Sequence, residues 1–454
     1  MSLLQKIYEQ SPIFFQNFMT TILGYKKNWS RYGKDYYNYR FFLEEFDTYS
    51  LEEKLNYQKE KLITFINYAN DNSEFYKKLY KNIKTEEINS IEDLKKLPIV
   101  DKELLRDNIN NVNTIERKDA LISHTGGTTG KSLEVFQTRK DAMERMAQLD
   151  HFKSKLGFEN LKMRKATFSG NHIIPPNQNS KKYWRYNAAS KQMLYSSFHI
   201  TEDNLKYYVN SLNKFKPHAL DGFFTSMLDV ANYIERHNIR LEFQPIAIFP
   251  TSETLTNSGR KLLERVFKCK VYDQYASSEG APFVTECENQ TLHIELASGV
   301  FEHLEENNNE ILVTSFNTHG TPLIRYRIGD SMIFEKTNIL CECGSENPIV
   351  KEIQGRKLDF LYTSQGAKIN SGNISNIFKK IPNVIIKAQL IQKQIGELNL
   401  LLEVDDKNYK YEYEEIIIEE CKRRFGDDTI LNIEYAQEIP REKSGKFQMI
   451  KNHV

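Results

Sequence analysis

Cysteine is scarce in this chain: five residues in 454 cannot form a disulfide framework for a protein of this length, so a reducing, cytosolic setting is expected. An excess of charge of either sign is missing too. Sixty-two Lys and Arg against 61 Asp and Glu leave a net charge of +1, which argues against a basic field built for nucleic acid. Long apolar runs are also absent. The one N-terminal apolar patch, Ile13-Phe14-Phe15 to Ile22-Leu23, is broken by Gln16, Asn17, Thr20 and Thr21, and no small-residue cleavage site follows it. It is therefore read neither as a signal peptide nor as a transmembrane span, and a helix packed on the body is expected ahead of a membrane-surface anchor. No internal repeat or low-complexity tract interrupts the chain.

What remains is globular: 40% hydrophobic and 27% charged residues, in a chain long enough for two or more domains. Leu55, Leu62, Ile63, Phe65, Ile66, Tyr68 and Ala69 recur at helical spacing and predict one long amphipathic helix over 51–80. Leu97 to Lys102 predicts a short helix or turn. From about residue 195 to 300, helical patterns alternate with short apolar runs such as Ala247-Ile248-Phe249-Pro250 and Val271-Tyr272, the signature of a layered α/β domain with largely parallel strands. Residues 309–334 read as strands and turns. The fold class expected is α/β: a large layered domain over 1–355, with sheets flanked by helices, and a small α+β domain over 356–454. The small domain is read from strands at 385–392, 397–404 and 431–435 and a charged helix at 411–425.

The most unusual tract is Thr125-Gly126-Gly127-Thr128-Thr129-Gly130-Lys131-Ser132. Three glycines free backbone amides to curl around an anion, and three threonines add hydroxyl donors. It is not a Walker loop, because Thr125 stands six before Lys131 where that motif needs glycine. Taken alone, the tract is either a phosphate cradle or a Gly/Thr-rich turn.

Four further motifs follow in order: Tyr275-Ala276-Ser277-Ser278-Glu279, Tyr326-Arg327-Ile328-Gly329-Asp330, Gly355-Arg356 and Pro440-Arg441-Glu442-Lys443-Ser444-Gly445-Lys446. Together with the loop they resemble the five ordered motifs of the adenylate-forming superfamily. Weaker stretches narrow the resemblance to the phenylacetate-CoA ligase-like branch, which includes capsule-biosynthesis members. These are Tyr68-Ala69 followed by Ser73-Glu74-Phe75-Tyr76, Leu97-Pro98 with Lys102, Gly222-Phe223-Phe224-Thr225-Ser226 and Ser252-Glu253. The likeness extends over nearly the whole chain from about residue 50.

The resemblance implies ATP-dependent activation of a small carboxylic acid to an acyl-adenylate, followed by transfer of the acyl group to the thiol of CoA. It places the β- and γ-phosphates in the 125–131 loop, with Thr128 catalytic and Lys131 a point charge. Mg²⁺ falls to Glu279, the ribose hydroxyls to Asp330 with Arg356 at the ribose or phosphate, the adenine side to Ser252, Glu253 and the Asp273 to Tyr275 stretch, and a further nucleotide contact to Ser278. Lys446 becomes the catalytic cation, carried by a small domain that rotates between half-reactions. An anion attacking a polyanion needs this kind of positioning and charge neutralisation. Ala276 and Ser278 depart mildly from the family pattern, and Leu358 stands where many relatives carry a charged hinge residue.

Cys287 and His293, followed about fifty residues later by Cys341-Glu342-Cys343-Gly344, offer three thiols and an imidazole. That is a known tetrahedral zinc set, with buried thiols and a turn histidine as the alternative and Cys269 as a rival ligand. The resemblance favours zinc, in a closed structural site. A phosphopantetheine thiol on a carrier protein or an amine on a capsule-sugar precursor would serve as acceptor as well as CoA. A nucleotide-binding scaffold without ligase activity is the alternative of another class.

Overall fold

The structure, a computed structural model, describes residues 3–124, 133–175, 178, 180–304, 309–336, 339–356, 360–370, 374, 376–378, 380–442 and 444–454. Two compact units are discontinuous in sequence: Met1–Gly24 with Leu161–Val271 and Gln354–Val454, and Tyr25–Asn160 with Tyr272–Ile353.

The first unit holds a six-stranded sheet in the order Trp184–Asn187, Gln192–Ser196, Lys165–Ser169, Ala219–Phe223, Ala247–Thr251 and Lys270–Val271. All neighbours are parallel except the edge strand Trp184–Asn187. The predicted α/β alternation is present and begins earlier than expected, at Lys165. Phe168, Leu220 and Ile248 from the strands bury against Tyr208, Val230 and Leu263 from the helices. The same unit contains a second, four-stranded sheet in the order Ile430–Tyr435, Glu397–Val404, Ile385–Gln394 and Ile450–Asn452, with the helix Glu412–Phe425. Leu398, Leu400 and Leu402 share its core with Ile417 and Phe425, the outcome of strict period-2 spacing on one strand.

Helix Ile13–Arg31 docks through its polar side. The N–H groups of Tyr186 and Ala188 donate to Asn17 Oδ1 (3.0 Å) and Thr21 Oγ1 (3.1 Å), so the helix caps the open edge of the sheet. Fully buried Arg185 donates to Gln16 Oε1. The helix packs on the body as expected, but with its apolar side outward.

In the second unit an eight-stranded sheet runs Gln274–Tyr275, Val284–Glu286, Leu292–Ile294, Ile349–Arg356, Leu323–Phe334, Glu310–Ser315, Gly299–His303, with Val100–Asp101 added parallel to Leu323–Phe334. The segment after Leu97 is thus a two-residue strand before its helix, Lys102–Asp107. Asp101 caps that helix by accepting from Leu104 N at 2.8 Å. The long helix predicted to Tyr80 stops at Asn72. Ser73 turns extended, donates to Asn111 O at 3.0 Å, and caps the separate helix Glu74–Leu79, a competition between side chain and helix ladder that apolar spacing does not reveal. Leu62, Phe65, Ile66 and Ala69 bury in one cluster with Val313 and Tyr326.

Candidate functional site

The strands Leu121–His124 and Glu134–Gln137, which flank the Gly/Thr tract in sequence, pair antiparallel with His124 opposite Glu134. Thr125 to Ser132, including Thr128 and Lys131, lie outside the described residues. Just before them, Ser123 Oγ donates to the carbonyl of Ser278 at 3.2 Å, tying the first of these strands to the second motif.

That motif is a strand followed by a tight turn. Ser277 Oγ accepts from the N–H groups of Gly280 (3.2 Å) and Ala281 (3.0 Å). Gly280 has φ +106°, which a side chain would strain. Arg145 Nη1 donates to the carbonyls of Gly280 (2.8 Å) and Ala281 (2.9 Å), and Ser315 Oγ also donates to Gly280 O (2.6 Å). Burial lowers the Arg145 pKa to about 10, which still leaves a cation at neutral pH. Inside this braced turn Glu279 is 3% exposed, and none of the described residues hydrogen-bonds its carboxylate. A buried anion in that state is suited to a cation ligand.

Asp330, in the strand Leu323–Phe334, is buried and accepts from Tyr275 Oη at 2.7 Å. Its neighbour Gly329 has φ +82° with open space where a side chain would stand. Asp273 is engaged within its own turn: its carboxylate accepts from Gln274 N at 2.8 Å, and its N–H donates to Glu286 at 2.7 Å.

In the other compact unit, Lys446 Nζ donates to the carbonyl of Ser252 at 2.8 Å and lies 5.7 Å from the centre of the Phe223 ring. Ser252 directly follows the strand Ala247–Thr251 and is left-handed at φ +69°, a strained state for a residue with a side chain. Glu253 accepts from Thr225 N (2.8 Å) and Thr225 Oγ1 (3.0 Å). Arg441 Nη1 donates to that same Thr225 hydroxyl (3.3 Å) and to Gly445 O (3.2 Å), while its Nη2 forms an ion pair with Asp229. Burial pushes the Asp229 and Glu253 carboxyls up, opposed by Arg441 at Asp229 and by the Thr225 N–H at Glu253.

The Ser444-Gly445-Lys446 turn sits where no side chain would fit. A Cβ on Gly170 would stand 1.9 Å from Ser444 O, and one on Gly445 would stand 3.1 Å from Gly170 Cα and from the Phe198 ring. Gly445 is also left-handed, at φ +81°. Arg356 ends the strand Ile349–Arg356, and its side chain lies outside the described residues.

The thiols and imidazole converge: the ligand atoms of Cys287, His293, Cys341 and Cys343 all lie within 4.8 Å of one another. Cys287 Sγ is 3.9 Å from Cys341 Sγ, and Cys343 Sγ is 3.7 Å from His293 Nε2. Tetrahedral zinc with Zn–S bonds of about 2.3 Å sets sulfurs about 3.8 Å apart. His293 Nδ1 is 3.1 Å from Asn347 O, a contact in which the N–H donates and Nε2 keeps its lone pair toward the thiols. Hydrogen bonds from Cys343, Thr291 and His293 outweigh the burial that would raise Cys341 and hold its thiol below the ordinary value, while burial pushes Cys343 up. The turn Cys341–Gly344 needs its glycine, at φ +81°. Cys269 is outside this cluster, half-buried and pushed up to about 12 by burial. Cys421 is buried in the core of the helix Glu412–Phe425.

Sequence reasoning missed Arg145, Gly170, Asp229 and the network role of Arg441. Arg145, Gly170 and Asp229 lie outside every motif; Gly170 and Asp229 act on motif residues and Arg145 on the two residues that follow Glu279, all through tertiary contact alone.

A family model described as the CapK C-terminal domain matches residues 361–453. Protein CapK of Staphylococcus aureus is 36% identical over 456 residues, covering 100% of this chain and 100% of that one. Indoleacetate–lysine synthetase of Pseudomonas savastanoi is 27% identical over 132 residues, 28% of this chain and 32% of that one. Among solved structures, 2-hydroxyisobutyryl-CoA ligase in the postadenylation state, in complex with R3-HIB-AMP, is similar with a TM-score of 0.73 at 15% identity. That likeness covers 89% of this chain and 91% of the ligase, and shows a shared fold.

Proposed function

The chain belongs to the CapK family and has the fold of the adenylate-forming enzymes, and from that premise we propose that it is an AMP-forming ligase that activates a small carboxylic acid with ATP. The substrate carboxylate oxygen attacks the α-phosphorus, the Pα–O bond to the β-phosphate breaks, and pyrophosphate leaves. The observation that carries this reading is the placement of Lys446 at the Ser252 carbonyl, on a turn fixed by Gly170, Gly445 and Arg441. A held cation stabilises charge that develops on the α-phosphate as the new bond forms.

In this reading Asp330, oriented by Tyr275, accepts from the ribose hydroxyls with Arg356 beside it. Ser252, Glu253 and the Asp273 to Tyr275 stretch border the adenine, and Ser278 adds a nucleotide contact. Thr125 to Lys131 hold the phosphates, and Thr128 assists the departure of pyrophosphate. Glu279 would hold Mg²⁺, which supplies charge neutralisation on the phosphates. Cys287, His293, Cys341 and Cys343 would hold a structural Zn²⁺ with no open coordination position. The segment 356–454 is taken as the small domain that carries Lys446, and 1–355 as the large one. We place the enzyme in the cytoplasm, in the making of a capsule polysaccharide.

CoA is the proposed acceptor. A second reading, in which the acyl group passes to an amine, has specific support in the similarity to an enzyme named for joining indoleacetate to lysine. A carrier-protein thiol is a third acceptor of the same chemistry as CoA. ATP–pyrophosphate exchange across aryl, fatty, hydroxy and amino acids tests the first half-reaction. Exchange with one class fixes activity and substrate together, whereas ATP binding with no exchange for any acid would leave a nucleotide-binding scaffold. Adding CoA or candidate amines to the active acid then separates the acceptors.

A further inference from the structure

Helix Phe224–Arg236 and the C-terminal segment belong to the same compact unit, and one face of the helix receives that segment at two points. Thr225, Asp229 and Asn232 share this face by their helical spacing. Asp229 forms an ion pair with Arg441, and the two side chains are only 12% and 6% exposed. Thr225 Oγ1 accepts from Arg441 Nη1 at 3.3 Å. At the second point Asn383 Nδ2 donates to Asn232 O (3.3 Å) and to Glu235 Oε2 (3.0 Å).

The root of the Lys446 turn is held by a different device. Ile439 N donates to Glu403 Oε2 at 2.7 Å, while Lys387 Nζ donates to that carboxylate (3.2 Å) and to Ile439 O (3.4 Å). This buried pair lies on the strands Ile385–Gln394 and Glu397–Val404, so it travels with the turn when the C-terminal segment moves. The Asp229 carboxylate does not travel, because it stands on the helix.

Arg441 joins the turn to the helix. One arm of its guanidinium donates to Gly445 O at 3.2 Å and the other meets Asp229, which makes a rigid planar fork between the two. A guanidinium so little exposed is stable beside a carboxylate and costly without one. Deprived of Asp229, it would turn toward water and draw the Gly445 carbonyl, and Lys446 next to it, out of place.

Building on the ligase reading above, we propose that Asp229 is a positioning residue for the first half-reaction: through Arg441 it seats the Lys446 turn for adenylation, and its release frees the 356–454 segment for acyl transfer.

Asp229→Asn keeps the shape and removes the charge. It is expected to lower ATP–pyrophosphate exchange by about 10- to 100-fold, the cost of a displacement on the order of 1 Å, and to spare conversion of a supplied acyl-adenylate. Asp229→Glu, which keeps the charge, should recover most of the exchange. A second readout needs no substrate: amide hydrogen exchange over 436–448 should quicken in Asp229→Asn and stay near the parent rate in Asp229→Glu. Should Asp229→Asn fail to fold, Arg441→Gln breaks the same pair and is expected to give the same division between half-reactions. Equal loss of both half-reactions, or unchanged amide exchange in the folded variant, overturns the proposal. A parent chain that shows no pyrophosphate exchange with any acid would overturn the ligase reading instead, and quickened amide exchange in Asp229→Asn would still support the latch.

Discussion

Lys446 donates at 2.8 Å to the main-chain carbonyl of Ser252, a residue 194 positions earlier and held left-handed at the end of a parallel strand. The contact fixes where the only charged atom of that side chain sits. Removing the charge with Lys446→Ala should lower ATP–pyrophosphate exchange by about 10²- to 10³-fold and spare conversion of a supplied acyl-adenylate. Equal loss of both half-reactions would remove Lys446 from the adenylation step.

Gly170 tests the same assignment without touching a charge. Its Cβ would stand 1.9 Å from Ser444 O, so Gly170→Ala must displace the turn that presents Lys446. Exchange should fall by about 10²-fold, since displacement by about 1 Å costs that much in a positioned site, with an unchanged circular dichroism spectrum. Retained exchange in Gly170→Ala would show that the turn tolerates movement.

Tyr275→Phe removes the 2.7 Å hydrogen bond to buried Asp330. A hydrogen bond to a carboxylate contributes about 1.5–3 kcal/mol, so the KM for ATP should rise roughly tenfold or more with a smaller change in kcat. A fall in kcat at constant KM would point to a role other than holding the ribose carboxylate.

The four-residue thiol and imidazole cluster predicts about one zinc per chain in protein purified without chelator. Stripping the metal, or His293→Asn, should lower Tm by at least about 5 °C. Metal analysis near zero in active protein would exclude the site.

Acid stability should depend on Asp47. Burial alone would raise its carboxyl, but hydrogen bonds and charge from His151 (2.9 Å) and Lys155 (3.0 Å) bring it from the ordinary 3.8 to about 2. A depressed carboxyl stabilises the fold above its unfolded value, and that contribution is lost as pH falls from about 4 to about 2. With the Asp47 side chain 39% exposed, screening reduces it to on the order of 1 kcal/mol. Asp47→Asn should therefore flatten the unfolding profile in that window, as followed by chemical denaturation at each pH.

The sequence by itself determined the secondary-structure alternation and the identity of the family. Apolar period 2 placed the strands at 385–392 and 397–404 within two residues of Ile385–Gln394 and Glu397–Val404. Short ordered motifs were legible because phosphate and ribose contacts demand particular residue types at close spacing. The thiol cluster was legible for the same reason, as two short pairs. Only the tertiary structure decided which groups brace them. Arg145, Gly170 and Asp229 reach their partners through contacts that no local pattern encodes, and Ser73 broke a helix that apolar spacing carried through to Tyr80. The direction of the N-terminal helix was likewise undecided in sequence. Its pattern is amphipathic whichever face is inward, and the choice fell to the unpaired N–H groups of the edge strand, which Asn17 and Thr21 satisfy and Phe14 and Phe18 could not.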